Sequence, residues 1–244
     1  MNNLIDIFAV IDGTWPAVRT EPSGPFTLRV GQGGGNRVSA ATLEAPFEPD
    51  DLTRTEAAMR ALNQQPLFMI RPGDNTLDAA LDARGYAIRD AVVIYTCPVQ
   101  RLTDLPLPRV TVFTIWHPLA IMREIWAAGG IGPARQAVME RAVGPKTGLL
   151  ARFNENPGGA AFVAMHDGTA MLHALEILPH QRKQGLGRWM MRGAAFWAAT
   201  QGAHTMSVIC TTENTGANAL YTSLGMDAVG HYHYRYIPSE AHQT

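Results

Sequence analysis

Met171-Leu-His-Ala-Leu-Glu-Ile-Leu-Pro179-His-Gln-Arg182-Lys-Gln-Gly185-Leu-Gly187 carries an apolar strand into a proline and then into an Arg-x-x-Gly-x-Gly turn. An amphipathic helix is predicted to begin near Leu186, because Leu186, Met190, Ala194 and Trp197 recur at helical spacing as one buried stripe. Glycines at 185 and 187 let the backbone approach a ligand with no Cβ in the way. Amides at a helix N-terminus add partial positive charge. Strand, turn and helix start together predict a pyrophosphate site, and Arg182, Lys183, Arg188 and Arg192 bring positive charge to it. The plainer alternative is a strand-to-helix turn whose glycines serve packing.

The chain has 244 residues, 46% hydrophobic and 17% charged, enough for one large domain or two small ones with a packed core. A net charge of -1 gives no electrostatic reason to expect nucleic acid or an anionic membrane as partner. Cys97 and Cys210 belong to no Cys-x-x-Cys or Cys/His pattern, so neither a disulfide framework nor a metal is expected. Asp6 and Asp12 bracket the short run Ile7–Ile11 with no basic stretch before it, unlike a signal peptide. No apolar run reaches the roughly 20 residues that cross a bilayer. A cytoplasmic protein is expected.

Punctuation divides the chain near residues 98–109, where three prolines suggest a linker. Before it, a helix to about residue 15, strands at Phe26–Val30 and Arg37–Leu43, and a tight loop at 31–36 are predicted. A helix capped by Asp50/Asp51 runs to Leu62; a strand at Leu67–Ile70, a helix Thr76–Arg84 ended by Gly85 and a strand Tyr86–Cys97 follow. After the linker, the pattern gives a strand at Val110–Phe113, helices at Pro118–Ala128 and Pro133–Ala142, and strands Gly148–Phe153 and Ala160–Ala164 joined by a turn over 154–159. Asp167-Gly168 marks a hairpin. The strand Met171–Leu178, the long helix to Thr200, a strand Ser207–Cys210, a helix from Asn214 to Leu224 and a last strand Met226–Tyr236 complete the chain. Leu77–Tyr86 echoes Ala217–Met226, each a short helix, a glycine and a strand start, which suggests a diverged duplication.

Downstream, Asn214-x-x-Ala217-x-x-Leu220-Tyr221-x-x-Leu224-Gly225-Met226 places Ala217, Leu220, Tyr221 and Leu224 on one helical face. With Leu175-Glu-Ile-Leu-Pro179 and Arg182-x-x-Gly185-x-Gly187, and with the end strand His231–Arg235, this chain resembles the GCN5-related N-acetyltransferase (GNAT) superfamily over about residues 108–237. The first part is similar to the degenerate N-terminal half of tandem members, on Phe26–Val30, Arg37-Val-Ser39 and Leu77–Tyr86; it has no Arg-x-x-Gly-x-Gly turn.

The resemblance implies a mixed α/β (α+β) fold, a mostly antiparallel central sheet flanked by helices in two related halves. A degenerate GNAT-like domain would occupy residues 1–100 and an acetyltransferase domain 108–244. It implies acetyl-CoA as cosubstrate and no metal. The pantetheine arm would pair with the strand edge at Leu175, Ile177 and Leu178, and an Ile177 N–H would steady the oxyanion. The diphosphate would sit on the amides of Gln184, Gly185, Leu186 and Gly187, with Arg182, Lys183 and Arg188 also binding the coenzyme. Asn214 and Ala217 would complete the coenzyme site, and the Tyr221 hydroxyl would protonate the departing thiolate.

The attacking amine must be neutral, and Glu176 and His173 are the candidate bases. Three positions separate them, so a regular strand points them to opposite faces and only a bulge would break that parity. His231 and His233 share a face of the last strand but lack a third ligand, which argues for packing or cleft lining. Gly31–Asn36 fails the dinucleotide spacing and reads as a hairpin loop. Trp116, Met122 and Trp126 are placed in the acceptor cleft or the core. The expected activity is transfer of acetyl to a primary amine of a small molecule or peptide by direct transfer. The alternative is a non-catalytic acyl-CoA-binding regulatory module; a longer acyl donor or an O-acceptor is a weaker option. The acceptor and the oligomeric state, a homodimer included, stay open at this level.

Overall fold

The computed structural model describes residues 6–109 and 111–238. In chain order the elements are helix α1 (Ile7–Thr14), strands β1 (Arg19–Ser23), β2 (Phe26–Val30) and β3 (Thr42–Leu43), helix α2 (Pro49–Ala61), β4 (Leu67–Ile70), α3 (Asn75–Ala83) and β5 (Ala87–Pro98). Next come β6 (Val112–Ile115), α4 (Ala120–Ala128), α5 (Pro133–Arg141), β7 (Lys146–Phe153), β8 (Asn156–His166) and β9 (Thr169–Ile177). The last are α6 (Leu186–Thr200), β10 (Thr205–Thr211), α7 (Thr215–Ser223) and β11 (Asp227–Tyr236). The fold is the expected mixed α/β one, with a mostly antiparallel sheet flanked by helices. Two compact units are built from interleaved segments. Among the described residues, one holds those up to Pro16, Ile94–Cys210 and Asn214–Val229; the other holds Ala17–Val93, Thr211–Glu213 and those from Gly230 on.

In the first unit the strand order is β5-β10-β9-β8-β7-β6, with β5 entering from Ile94. Strands β6 to β9 pair antiparallel with their neighbours, and β9 pairs parallel with β10. The β8–β9 turn is Asp167-Gly168, both left-handed, as the sequence predicts. The β7–β8 turn is tighter than expected: Asn154 and Glu155 take the left-handed conformation and β8 starts at Asn156. Gly158–Met165 is buried along its length. It reads as an unbroken apolar run because helices cover both of its faces. On one face α6 supplies Leu186, Met190 and Ala194, all buried; on the other lie α4, with buried Met122 and Trp126, and α1, with buried Val10 and Ile11. Asp6 starts α1 by accepting bonds from the Phe8 and Ala9 amides at 3.1 Å. Among residues 98–109, expected as a linker, Val99 and Leu102 are buried in a 3-10 turn. The strand expected at Val110–Phe113 runs instead over Val112–Ile115, and Val110 lies outside the described residues.

In the second unit β1, β2 and β3 form a small antiparallel sheet, and β4 pairs antiparallel with the end of β11. The strand expected over Arg37–Leu43 is a correction: Asn36–Val38 is a 3-10 turn and only Thr42–Leu43 is extended. The Gln64 side chain explains this. It accepts the Gly31 amide at 2.7 Å and donates to the Arg29 and Ser39 carbonyls, taking groups a longer ladder would have used. Strand β1 is polar, half exposed and holds Pro22, the composition of an edge, and carries no apolar alternation to announce it. Helix α2 starts with a capping box of Glu48 and Asp51. Helix α3 ends before Gly85, at φ 82°, as expected.

An ion cluster ties α3 to β11 within this unit. Arg235 Nε donates to Asp78 Oδ1 at 2.6 Å and Nη1 to Asp82 Oδ1 at 2.8 Å, while His233 Nε2 lies 3.0 Å from Asp78 Oδ1. Burial works against the Asp78 charge, but the bonds from Arg235 and His233 outweigh it and hold the carboxyl below its ordinary value. A carboxyl depressed on folding stabilises above its unfolded value, and that contribution fades as pH falls through the folded one. Asp78→Asn should therefore cost about 1–2 kcal/mol near pH 7, with the gap to the parent closing on acidification in thermal melts from pH 7 to 3.

Candidate active site at the parting of two strands

Strands β9 and β10 pair only over Thr169–Leu172 and Thr205–Val208, although β9 continues to Ile177 and β10 to Thr211. Beyond Leu172 the two strands part and leave an unpaired edge of β9. Leu178 donates its N–H to the Gly158 carbonyl at 2.9 Å, on the β8 side. By strand alternation the peptide groups of Ile177 face the other way, into the opening. That geometry can accept an extended ligand as an added strand.

A bulge sits where the strands part. Ala174 has φ 51°, and the β8–β9 register slips between Ala160 and Phe162, so that Phe162 faces His173 while Ala160 faces Glu176. The extra residue brings His173 and Glu176 to one face, the parity a regular strand denies. Helix α4 braces this point twice. The Trp126 indole N–H donates to the Ala174 carbonyl at 2.9 Å. One turn on, a Cβ on Gly129 would stand 2.5 Å from the Glu176 carboxyl, so the glycine leaves the carboxylate its seat. His173 is buried beneath α1, its ring 5.0 Å from Trp15 and 6.2 Å from Phe162. Thr14 gives its hydroxyl proton to the Val10 carbonyl at 2.7 Å, so the 2.9 Å bond to His173 comes from the imidazole and fixes a proton on Nε2. Trp15, Thr14 and Gly129 carry no local signal that marks them as neighbours of this strand.

After Pro179 the chain makes a 3-10 turn, and Lys183 (φ 61°) and Gly185 (φ 81°) are both left-handed before α6 begins at Leu186. No side chain caps that helix start, so its first amides can hold an anion. Gly187 has a packing task as well, since a Cβ there would come within 3.0 Å of Leu220 on α7. Arg182 donates to the Glu176 carboxylate at 3.1 Å and to the Ile177 carbonyl at 3.0 Å. Arg188 donates to Ser223 Oγ at 3.0 Å. Arg192 is a correction: it is buried on α6 and donates to the Leu102 carbonyl and the Asp104 carboxylate, anchoring the 99–104 segment instead of facing the turn. It sits about one and a half turns from the helix start, on the inward face.

Asn214 is the N-cap of α7, accepting the Ala217 amide at 3.0 Å. Tyr221 is 3% exposed, with its ring 5.6 Å from that of Tyr95. Burial first, then Cys210 and Tyr95, raise its phenol above the ordinary value. The sequence reading missed Tyr95 and Asn218: Asn218 Oδ1 accepts from the Tyr95 hydroxyl at 2.8 Å and from Cys210 Sγ at 3.4 Å. Burial pushes the Cys210 thiol up to about 11. Trp126 and Met122 are core, while Trp116 is half-buried 5.8 Å from Phe162. His231 is exposed and His233 is held by Asp78. Among the described residues no three His, Cys, Asp or Glu gather as a metal group, and no helix is long and apolar enough to cross a membrane.

A strand that parts from its parallel neighbour here runs through a left-handed turn into an uncapped helix, an arrangement that can hold an extended ligand ending in an anion. The family model described as "Acetyltransferase (GNAT) family" matches residues 122–226. That match covers the segment from α4 to the end of α7, and the chain is an acyltransferase. It is similar to the uncharacterized N-acetyltransferase YobR of Bacillus subtilis (strain 168), 23% identical over 244 residues, covering 96% of this chain and 99% of that one. Two solved structures share the fold. A functionally unknown conserved protein from Staphylococcus epidermidis has a TM-score of 0.70 at 14% identity, covering 97% of this chain and 99% of its own. A GCN5-related N-acetyltransferase from Kribbella flavida has 0.67 at 20%, covering 97% and 96%.

Trp126→Phe keeps a ring in the core but strips the Ala174 carbonyl of its donor. It should cost about 1–3 kcal/mol in denaturant unfolding and raise amide hydrogen exchange at 175–177.

Proposed function

We propose that this enzyme transfers an acetyl group from acetyl-CoA to a primary amine of a small molecule or peptide, directly within a ternary complex. The observation that carries the reading is the unpaired β9 edge leading straight into the left-handed turn at Lys183–Gly185 and the uncapped start of α6. These residues fit a coenzyme with a peptide-like arm and a diphosphate. Residues 108–244 are read as the acetyltransferase domain and 1–100 as a degenerate GNAT-like half.

Each side chain then has a task. The amides of Gln184–Gly187 and the Arg182 guanidinium bind the diphosphate. The Ile177 N–H, facing the opening, donates to the thioester carbonyl oxygen as negative charge develops there. Glu176, seated over Gly129, takes a proton from the incoming ammonium; His173, on the same face, is oriented by Thr14. Tyr221 keeps its proton at neutral pH because burial raises the phenol, so it is in the form that can donate to the leaving thiolate. That same burial favours a second reading, a non-catalytic acyl-CoA-binding module in which Tyr221 is a core ring.

Acetyl-CoA should raise the melting temperature, and Arg182→Ala should weaken CoA binding in calorimetry while Arg192→Met leaves it unchanged. Tyr221→Phe should slow CoA release from acetyl-CoA, in a panel of amines, amino acids and peptide N-termini, by about 100-fold with CoA affinity kept. Turnover equal to the parent removes Tyr221 from the mechanism; coenzyme binding with no turnover on any amine supports the second reading.

A further inference from the structure

Arg182 spends two donors of one planar fork on β9: Nη2 on the Glu176 carboxylate at 3.1 Å and Nε on the Ile177 carbonyl at 3.0 Å. The Ile177 carbonyl faces the opening between β9 and β10, so Arg182 lies on the edge that an added strand needs. The guanidinium side chain is 57% exposed and the Glu176 side chain 20%. The first can therefore swing, while the second is seated by features that do not involve the arginine, namely the bulge at Ala174 and the space over Gly129.

We infer that Arg182 serves two partners in alternation: the Glu176 carboxylate when no coenzyme is bound, and the coenzyme diphosphate when it is. The inference rests on the acetyl-CoA reading. An arm pairing with Ile177 and the present pose of Arg182 exclude one another. When Nε leaves the carbonyl, the rigid fork carries Nη2 off the carboxylate too. Glu176 then stands open beside the acyl group, its seat unchanged, where an ammonium can meet it. Until then its charge is occupied by the guanidinium.

The test is calorimetric titration with CoA of the parent, Glu176→Gln, Arg182→Ala and the double variant. Glu176→Gln keeps size and shape at a partly exposed site. It should tighten CoA about two- to fivefold, the worth of a partly exposed ion pair. Arg182→Ala should weaken binding, and in that background Glu176→Gln should change nothing. Unchanged or weaker binding by Glu176→Gln, or the same gain without Arg182, overturns the alternation while leaving the acetyl-CoA reading intact. A parent that binds no CoA overturns both.

Discussion

The bond from the Trp126 indole to the Ala174 carbonyl holds the place where β9 changes phase. A strand repeats every two residues, so one inserted residue reverses which side each later side chain takes. Before the bulge β9 is an ordinary member of the sheet, paired on both sides. After it, Glu176 turns to α4, Ile177 turns to α6, and the peptide groups of Ile177 open toward a neighbour that has already parted. A left-handed alanine is strained by about 1 kcal/mol or more, and a buried donor aimed at its carbonyl is the compensation visible in the structure.

Phase also sorts the charges. Arg182 and Arg192 lie ten residues apart in a stretch that reads as uniformly basic, yet one is exposed at the turn and the other is sealed against the Leu102 carbonyl and Asp104. Asp104 sits below its ordinary value chiefly because of the Arg192 bond. The segment that prolines mark as a linker is thus fastened at its start by a cation from the long helix.

What the sequence made legible is the punctuation. Gly85, Gly185, Gly202 and Gly225 are all left-handed, and each ends or begins the helix that spacing assigns to it. The stripe of α6, buried at Leu186, Met190 and Ala194 though only partly at Trp197, and the cap at Asn214 were equally readable, since each depends on residues within a few positions. What escaped depends on distance in the chain. The bulge has no glycine to announce it. Tyr95 reaches Asn218 across 123 positions, and Gln64 replaces a ladder near Gly31 from 33 positions away. The polar strand β1 has no alternation because only a small sheet stands behind it. Local pattern carries no information about such partners.

Thr14 and His173 are 159 positions apart, yet they share a buried bond. Helix α1 leaves the ribosome long before the strands it covers exist. At elongation rates of about 5–20 residues per second it waits for roughly 10–30 seconds. Through that interval Val10 and Ile11 have no surface to bury them. Over His173 the sheet is closed by a segment made 159 positions earlier.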